Sequence, residues 1–439
     1  MDFSRFGKKF SAGTGILALM DDLGKAMEQG GDIMLGGGNP AHIPQINRIW
    51  RRRMEEILAT EGEFERMVAN YDTPQGRYSF LEALAELINR EYGWGLSAKN
   101  IAVTNSSQSA FFFLLNMFSG TFDNDKKKKI LFPLTPEYIG YADQAAEADA
   151  FLSYPSKIEF TGENSFKYHV DFSKLEITEE VGAICVSRPT NPTGNVLTDE
   201  EVQHLAGIAE EHSVPLLLDN AYGTPFPQII FVDVKPVWNE NIVLGMSLSK
   251  LGLPSVRTGI VIAREEIIEA VSSMNAIVSL ASGALGQVLT LPLIKSGEIL
   301  KISREIINPY YRRKSHQVLY RIRESFEGLD YAVHENEGTF FLWIWFKKLP
   351  ITTRELYERL KRRGVLVVPG CYFFFGLKQP WAHRDECIRV NYSQDDNIVN
   401  RGIEIIADEV RAVLKKTPRQ EKTSGIPPAT GWEKAPSRT

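Results

Sequence analysis

Asn241-Ile242-Val243-Leu244-Gly245-Met246-Ser247-Leu248-Ser249-Lys250-Leu251-Gly252-Leu253-Pro254-Ser255-Val256-Arg257-Thr258-Gly259 is the stretch on which the reading of this chain turns. The apolar run Ile242 to Leu244 reads as a buried strand. A Ser-x-Ser-Lys step follows it, then a Gly-Leu-Pro break, an arginine and a second apolar run. Lys250 is thus delivered from the end of a buried strand into a turn lined by Ser and Gly. Desolvation and a neighbouring cation lower an amine's pKa, which suits it to form a Schiff base with an aldehyde. Alone, the pattern also fits a solvated lysine in a loop, so the upstream segments decide.

Three such segments matter. Val181–Asn195 is a buried-type strand running into an Asn-Pro-Thr-Gly turn, with Asn191 at its start. Val214–Tyr222 is an apolar strand ending in Asp219, with Tyr222 three residues further on. The carboxyl edge of such strands is where open α/β sheets bind ligands. Asn100–Leu115 reads as strand, turn of small polar residues and helix start. Its Ser106, Ser107 and Gln108 make a backbone and helix-dipole anion site. Ser247, Ser249 and Arg257 flank Lys250 and complete that cup, Arg257 as a fixed charge. Each segment has a plain alternative: a common turn, a capping Asp, a simple N-cap. Jointly they supply what pyridoxal phosphate needs. Asp219 would keep the ring nitrogen protonated, and Asn191 and Tyr222 would face the ring oxygen.

The order phosphate cup, Asn, Asp-x-x-Tyr, Lys…Arg, together with MLGGGNPAHIP, NYDTPQG, PEYIGYADQA, CVSRPTNPTGNV, DNAYGTPFP, MSLSKLGLP and IRVNY, resembles the class I aminotransferases of fold type I. The resemblance runs from about Phe3 to near Val413. It implies pyridoxal 5'-phosphate as cofactor, held on Lys250, and Tyr138 stacked on its face. Tyr71 matches a tyrosine that reaches the phosphate of the neighbouring subunit, so it implies a homodimer. Arg389 matches the arginine that forks onto the substrate α-carboxylate. Its place in the apolar run Cys387–Val390 also asks for an anionic partner. Gly37, Gly38 and Asn39 would offer backbone donors to the same carboxylate. Ile16 and Leu17, with Tyr372–Phe375, are candidates for an apolar side-chain wall, and Asn275–Gln287 holds no arginine to receive a second carboxylate.

The implied reaction moves the amino group of an aliphatic L-amino acid, valine or alanine, to a 2-oxo acid, pyruvate or 3-methyl-2-oxobutanoate. Another amino-acid specificity and a C–S β-lyase share Lys250, Asp219 and Asn191 and stay open at this point. An aminotransferase-like transcription regulator is disfavoured, because no helix-turn-helix pattern precedes the matched segment. Two residues depart from the family pattern: Ser106 and Ser255 stand where glycine is usual. They matter if either position needs a positive φ.

The chain has 439 residues and a formal net charge of −5. That length carries a large core, and the mixed, mildly acidic charge argues against nucleic acid as a partner. Lys126–Lys129 reads as a solvated loop before a strand. Cys185, Cys371 and Cys387 follow no metal or disulfide spacing, which fits a reducing cytoplasm. The charged first ten residues do not read as a secretory leader, and no apolar run of membrane length is expected.

Strand-like runs recur near 101–104, 130–133, 150–153, 183–186, 215–218, 242–245 and 259–262. Helical patterns are expected at 79–92, 107–119, 137–147, 199–212, 265–279 and from 283 to 325, the last interrupted at Pro292 and Pro309. The alternation predicts an α/β fold: a mostly parallel seven-stranded sheet flanked by helices, plus a smaller α+β domain. Residues 46–310 are expected to form the large domain and 311–416 the small one, joined by the arm 1–45. Residues 417–439, rich in Pro, Ser, Thr and Lys, read as a disordered tail.

Overall fold

A computed structural model of the chain describes residues 2–13, 17, 21, 24 and 33–416. The expectations for Ile16 and for 417–439 lie outside the described residues. Strand β1 is Ile33–Met34, β2 Ile101–Thr104, β3 Gly120–Thr121 and β4 Lys127–Thr135. Next come β5 (Phe151–Pro155), β6 (Lys157–Gly162), β7 (Ser165–His169) and β8 (Val181–Ser187). Then follow β9 (Leu216–Asp219), β10 (Ile242–Ser247), β11 (Gly259–Ile262) and β12 (Tyr331–His334). Last are β13 (Phe341–Phe346), β14 (Val365–Leu366), β15 (Val368–Pro369) and β16 (Cys387–Asn391).

All seven expected strands fall in one sheet of order β2-β11-β10-β9-β8-β4-β3, with β5 also pairing β4. It has eight strands rather than seven, because the two-residue β3 folds back on β4. Neighbours from β5 through β4, β8, β9 and β10 run parallel, and β11 is antiparallel to both of its neighbours. Alternate residues feed two apolar layers. Ile184, Val186, Leu216, Leu218, Ile242 and Leu244 enter one, and Ala183, Cys185, Leu217 and Val243 the other. A sheet buried on both faces is why these strands read as unbroken apolar runs rather than alternating ones.

The helices Tyr78–Tyr92, Ser107–Phe118, Asp199–Glu211 and Glu265–Ser279 stand where the pattern predicts. The segment after 283 breaks at Gly297, in a left-handed conformation at φ 79, rather than at Pro292, which sits inside helix Leu285–Ser296. No helix spans 137–147. A single 3-10 turn, Ile139–Tyr141, stands there, since the Glu137 carboxylate takes the Tyr138 N–H at 2.9 Å and the Ser187 hydroxyl at 2.7 Å. Those bonds draw the segment onto the end of β8. Lys127–Lys129 lie within β4 rather than in a loop, and Lys129 pairs with Asp149 at 2.6 Å.

A second sheet, β15-β16-β13-β12-β7-β6, has six strands. β6 and β7 come from 157–169, so this sheet is not drawn from residues beyond 310 alone. β1 of the N-terminal arm pairs with β14.

Candidate active site

The register explains why distant motifs meet. Ser187 and Gly245 both stand opposite Asp219, so β8, β9 and β10 end on one rim. β11 runs the other way, which sets its first residue, Gly259, between Ser247 and Thr104. The loops after β2, β8, β9 and β10 and the turn before β11 therefore open on the same edge. Gly259 is needed there: a Cβ would lie 2.3 Å from the Ser107 nitrogen, so only glycine lets the turn after β2 settle on the sheet.

Lys250 lies in the 3-10 turn Ser249–Leu251, which Trp50 anchors by donating to the Leu251 carbonyl at 2.8 Å. Its half-buried side chain donates from Nζ to the Gly38 carbonyl at 2.9 Å. The amine stands 5.0 Å from the Tyr222 ring centre and 5.3 Å from that of Phe340. Burial first, then the Arg389 and Arg257 charges, push its pKa down to about 7 against the pull of Asp219. The amine is therefore largely neutral just above neutrality.

Asp219 closes β9 and is buried around its carboxylate. Oδ1 accepts the Ala221 N–H at 2.8 Å and Oδ2 accepts the Tyr141 hydroxyl. Burial raises its pKa, while these two donors and the Lys250 charge oppose that rise. Burial also raises Tyr141 well above the ordinary phenol range, so it stays a donor.

Arg389 enters from β16 of the second sheet and is 4% exposed. Nη1 donates to Asn191 Oδ1 at 2.8 Å and Nη2 to the Gly36 carbonyl at 2.6 Å. Among the described residues its acceptors are all uncharged, and the buried Nε has none. The guanidinium packs 4.2 Å over the Phe341 ring, and burial lowers its pKa to about 10. A buried guanidinium without a carboxylate is costly unless a ligand supplies the anion. Asn191, its Oδ1 committed to Arg389, keeps its amide donor for the cavity.

At the other end, Ser106 caps helix Ser107–Phe118, its Oγ taking the Ser109 N–H at 3.3 Å. The first-turn amides of Ser107 and Gln108 with the helix dipole form an anion cradle. The Gln108 side chain is committed elsewhere, to the Gly140 carbonyl at 3.1 Å and the Tyr138 hydroxyl at 3.2 Å. Ser247 Oγ donates to Ser249 Oγ at 2.9 Å. Arg257, exposed in a left-handed conformation at φ 50, donates to the Pro254 carbonyl at 3.1 Å.

These groups line one cavity of about 690 Å3. It brings together Ser107, Gln108, Tyr138, Asn191, Asp219, Tyr222, Ser247, Ser249, Lys250, Arg257 and Arg389, with Gly38, Asn39 and Leu17. Ser106 is buried behind the lining, and Gly37 instead uses its carbonyl to accept Asn391 Nδ2 at 2.6 Å. Tyr71, 82% exposed, stands off this cavity in the single chain. Sequence reasoning missed Tyr141, the Gly36 carbonyl and the Phe340 and Phe341 rings. The second tyrosine of Pro-Glu-Tyr-Ile-Gly-Tyr was the available signal for Tyr141. The rings give none, since aromatic residues in a strand read as core.

The lining holds Lys250, Arg257 and Arg389 against a single carboxylate, Asp219. Such a donor set calls for anions at both ends and an electron-poor group over the acid. Pyridoxal phosphate with an amino acid fits it.

Comparison with known proteins agrees. The pattern of the family "Aminotransferase class I and II" matches residues 37–406. The chain is 49% identical to the valine–pyruvate aminotransferase of Escherichia coli (strain K12), over 93% of this chain and 98% of that protein. The crystal structure of valine–pyruvate aminotransferase from Salmonella typhimurium LT2 superposes with a TM-score of 0.85 at 48% identity, covering 92% of this chain and all of the other. An aspartate aminotransferase from Thermus thermophilus, with maleate, shares the fold at 20% identity, with a TM-score of 0.74 over 93% of this chain and 100% of that one. The chain belongs to the class I and II aminotransferases, enzymes that depend on pyridoxal phosphate.

Proposed function

We propose that this aminotransferase moves the amino group of an aliphatic L-amino acid, valine or alanine, to a 2-oxo acid, pyruvate or 3-methyl-2-oxobutanoate. The charge pattern of the cavity carries the reading. Arg389 serves the α-carboxylate and Arg257 the phosphate, which leaves no third guanidinium in the described lining for a side-chain carboxylate. Phe10, Ala12, Leu17 and Ile139 give the same cavity apolar wall. The valine–pyruvate activity named for the two relatives near 50% identity supports the same substrates.

Lys250, Ser107, Gln108, Ser247, Ser249 and Arg257 would hold the cofactor, with Tyr138, Asn191, Asp219 and Tyr222 around its ring. Bound there, pyridoxal phosphate supplies an aldehyde that exchanges an amino group and a ring that takes up charge from Cα. Lys250 Nζ, half neutral at pH 7 and more so above it, would take the proton from the substrate Cα and deliver it to the carbon that carried the aldehyde. Asp219 keeps a proton on the ring nitrogen, and Tyr141 keeps Asp219 ionised and aimed. Arg389 orients the carboxylate by a planar fork.

The proposal includes a homodimer. Tyr71, Tyr78, Ile277 and Val278 are 82%, 64%, 85% and 62% exposed, and Asn275 ties their two segments by donating to the Pro74 carbonyl at 2.7 Å. An apolar surface of this kind marks a contact, which a second copy would cover. The three cysteines are free and no helix among the described residues is long and apolar enough to cross a membrane, in keeping with a cytoplasmic enzyme.

The test is spectroscopic and kinetic. The visible band of the holoenzyme should shift on adding L-valine and return on adding pyruvate. Aspartate turning over faster than valine would refute the aliphatic assignment. Ammonia and pyruvate released from cystathionine without a 2-oxo acid would mark a C–S lyase instead.

A further inference from the structure

Lys167 and Glu337 form an ion pair that the chemistry above does not use. Lys167 lies on β7 of the second sheet and Glu337 in the link between that sheet's β12 and β13. Their side chains are 11% and 15% exposed. Yet both reach out of that sheet to one residue, Val196, in the loop after β8. Lys167 Nζ donates to the Val196 carbonyl at 3.0 Å, to Asn195 Oδ1 at 3.3 Å and to Glu337 Oε2. The same Glu337 oxygen accepts the Val196 N–H at 2.9 Å. The pair therefore grips Val196 by its donor and its acceptor at once, and all three ammonium protons are spent.

That loop is closed on itself in a way that passes the grip on to Asn191. Thr190 N–H donates to the Asn195 carbonyl at 2.8 Å and Gly194 N–H to the Thr190 carbonyl at 2.8 Å. Asn191 is therefore carried inside a ring of residues 190–195, and Val196 follows directly where that ring closes. Gly194, at φ 75, presses on the Gly338 carbonyl so closely that a Cβ would lie 2.7 Å from it. Glu337 is itself fixed from behind, its carbonyl accepting the Phe231 N–H at 2.7 Å.

We propose that Lys167 and Glu337 are positioning residues: a two-point clamp on the backbone either side of Val196 that sets Asn191 against the sheet carrying Arg389. The clamp matters because Asn191 must meet two partners at once, Arg389 with its oxygen and the ring oxygen of the cofactor with its nitrogen. A shift of the loop relative to the second sheet would satisfy one and lose the other. The inference rests on the role given to Asn191 above.

The charge-exchanged pair supplies the sharpest test. Lys167→Glu with Glu337→Lys restores opposite charges but sets a carboxylate against the Val196 carbonyl and an ammonium against its N–H. A plain ion pair tolerates that exchange, whereas a clamp on a backbone N–H and a backbone carbonyl does not. In the holoenzyme, Glu337→Gln and the exchanged pair should both shift the pH midpoint of the visible band by about half a unit or more, the band reporting the ring oxygen that Asn191 faces. Both should lower kcat/KM by about tenfold, and Lys167→Arg, which keeps a cation and its donors, should lose less. In the apoprotein, amides of 190–197 should exchange with deuterium about tenfold faster in Glu337→Gln while other segments keep their protection. Unchanged exchange in 190–197, or an exchanged pair that behaves as wild type, overturns the clamp. Faster exchange with an unmoved band midpoint overturns the positioning of Asn191 and traces the failure to the role given that residue. Should the exchanged pair not fold, Glu337→Gln, which keeps size and an acceptor, decides by the same two readouts.

Discussion

Tyr141 donates its hydroxyl to Asp219 Oδ2 at the floor of the cavity, while the Ala221 N–H occupies Oδ1. Tyr141 is 1% exposed and stacks on Phe132 with ring centres 5.9 Å apart, so its hydroxyl cannot swing away. Removing it with Tyr141→Phe leaves a buried carboxylate one donor short, and its pKa, already raised by burial, rises further. A hydrogen bond to a charged group is worth about 1.5–3 kcal/mol, so kcat should fall by about 10- to 100-fold. KM for the amino acid should change little, because Arg389 is untouched. Steady-state kinetics with L-valine and pyruvate check this, and a kcat within twofold of wild type would remove Tyr141 from the account.

Lys250→Ala removes the only amine that the described cavity lining provides. A positioned general base contributes about 10²–10⁴ in rate, and none of the other lining side chains is placed to replace it. Single-turnover mixing of the variant with L-valine should show substrate still binding and proton loss from Cα slowed by about a thousandfold or more. Fast Cα exchange in solvent deuterium would contradict the assignment of the base.

The depressed Lys250 pKa has a thermodynamic signature in the apoprotein. The native amine releases its proton near pH 7, against an ordinary value of 10.5 in the unfolded chain. Between those values the unfolded state binds more protons, so this residue's contribution to stability rises with pH across the window. Below pH 7 both states are protonated and the buried cation stands at full cost. Lys250→Met should therefore raise the melting temperature at pH 6.5 and lose that advantage by pH 10. Equal shifts at both pH values would mean that the native amine titrates at its ordinary value.

Much of this site was legible because strand ends and short polar turns carry it. Lys250, Asp219, Asn191 and Arg257 each follow or precede an apolar run, and the parallel register then brings those ends to one rim. All seven strand runs of the large sheet were readable for the same reason. What stayed hidden was pairing between distant segments. β6 and β7 lie between strands of the large sheet in sequence yet pair into the second sheet, where Lys167 meets Glu337, 170 positions away. The missing helix at 137–147 had the same cause. The Glu137 carboxylate spends itself on Ser187, a partner that no local pattern reveals.

Arg389→Lys tests whether the fork matters or only the charge. Lysine keeps the cation but cannot hold Asn191, Gly36 and both carboxylate oxygens in one plane. KM for L-valine and for pyruvate should each rise by about 10- to 100-fold, the cost of losing one charged hydrogen bond. Cofactor affinity should be preserved, since Arg257 and the helix Ser107–Phe118 hold the other end. A matching loss of cofactor affinity would place Arg389 at the wrong anion.

Ser106 holds a φ of 114, a conformation open to glycine and strained for a residue with a Cβ. Serine in place of the family's usual glycine therefore has a physical consequence here, whereas Ser255 is not among the positive-φ residues. Ser106 keeps a compensation: its hydroxyl caps the helix by accepting the Ser109 N–H at 3.3 Å. Replacing a serine cap by glycine costs only a few tenths of a kcal/mol. Relief of the backbone strain is worth about 1 kcal/mol or more. Strain relief wins, so Ser106→Gly should raise the melting temperature by about 1–2 °C in a chain of this size. Ser106→Ala keeps the strain and loses the cap, and it should lower stability by about 1 kcal/mol. Calorimetry on the two variants decides whether strain or cap prevails at the mouth of the phosphate cradle, and a Gly variant less stable than wild type would show that the cap outweighs the strain.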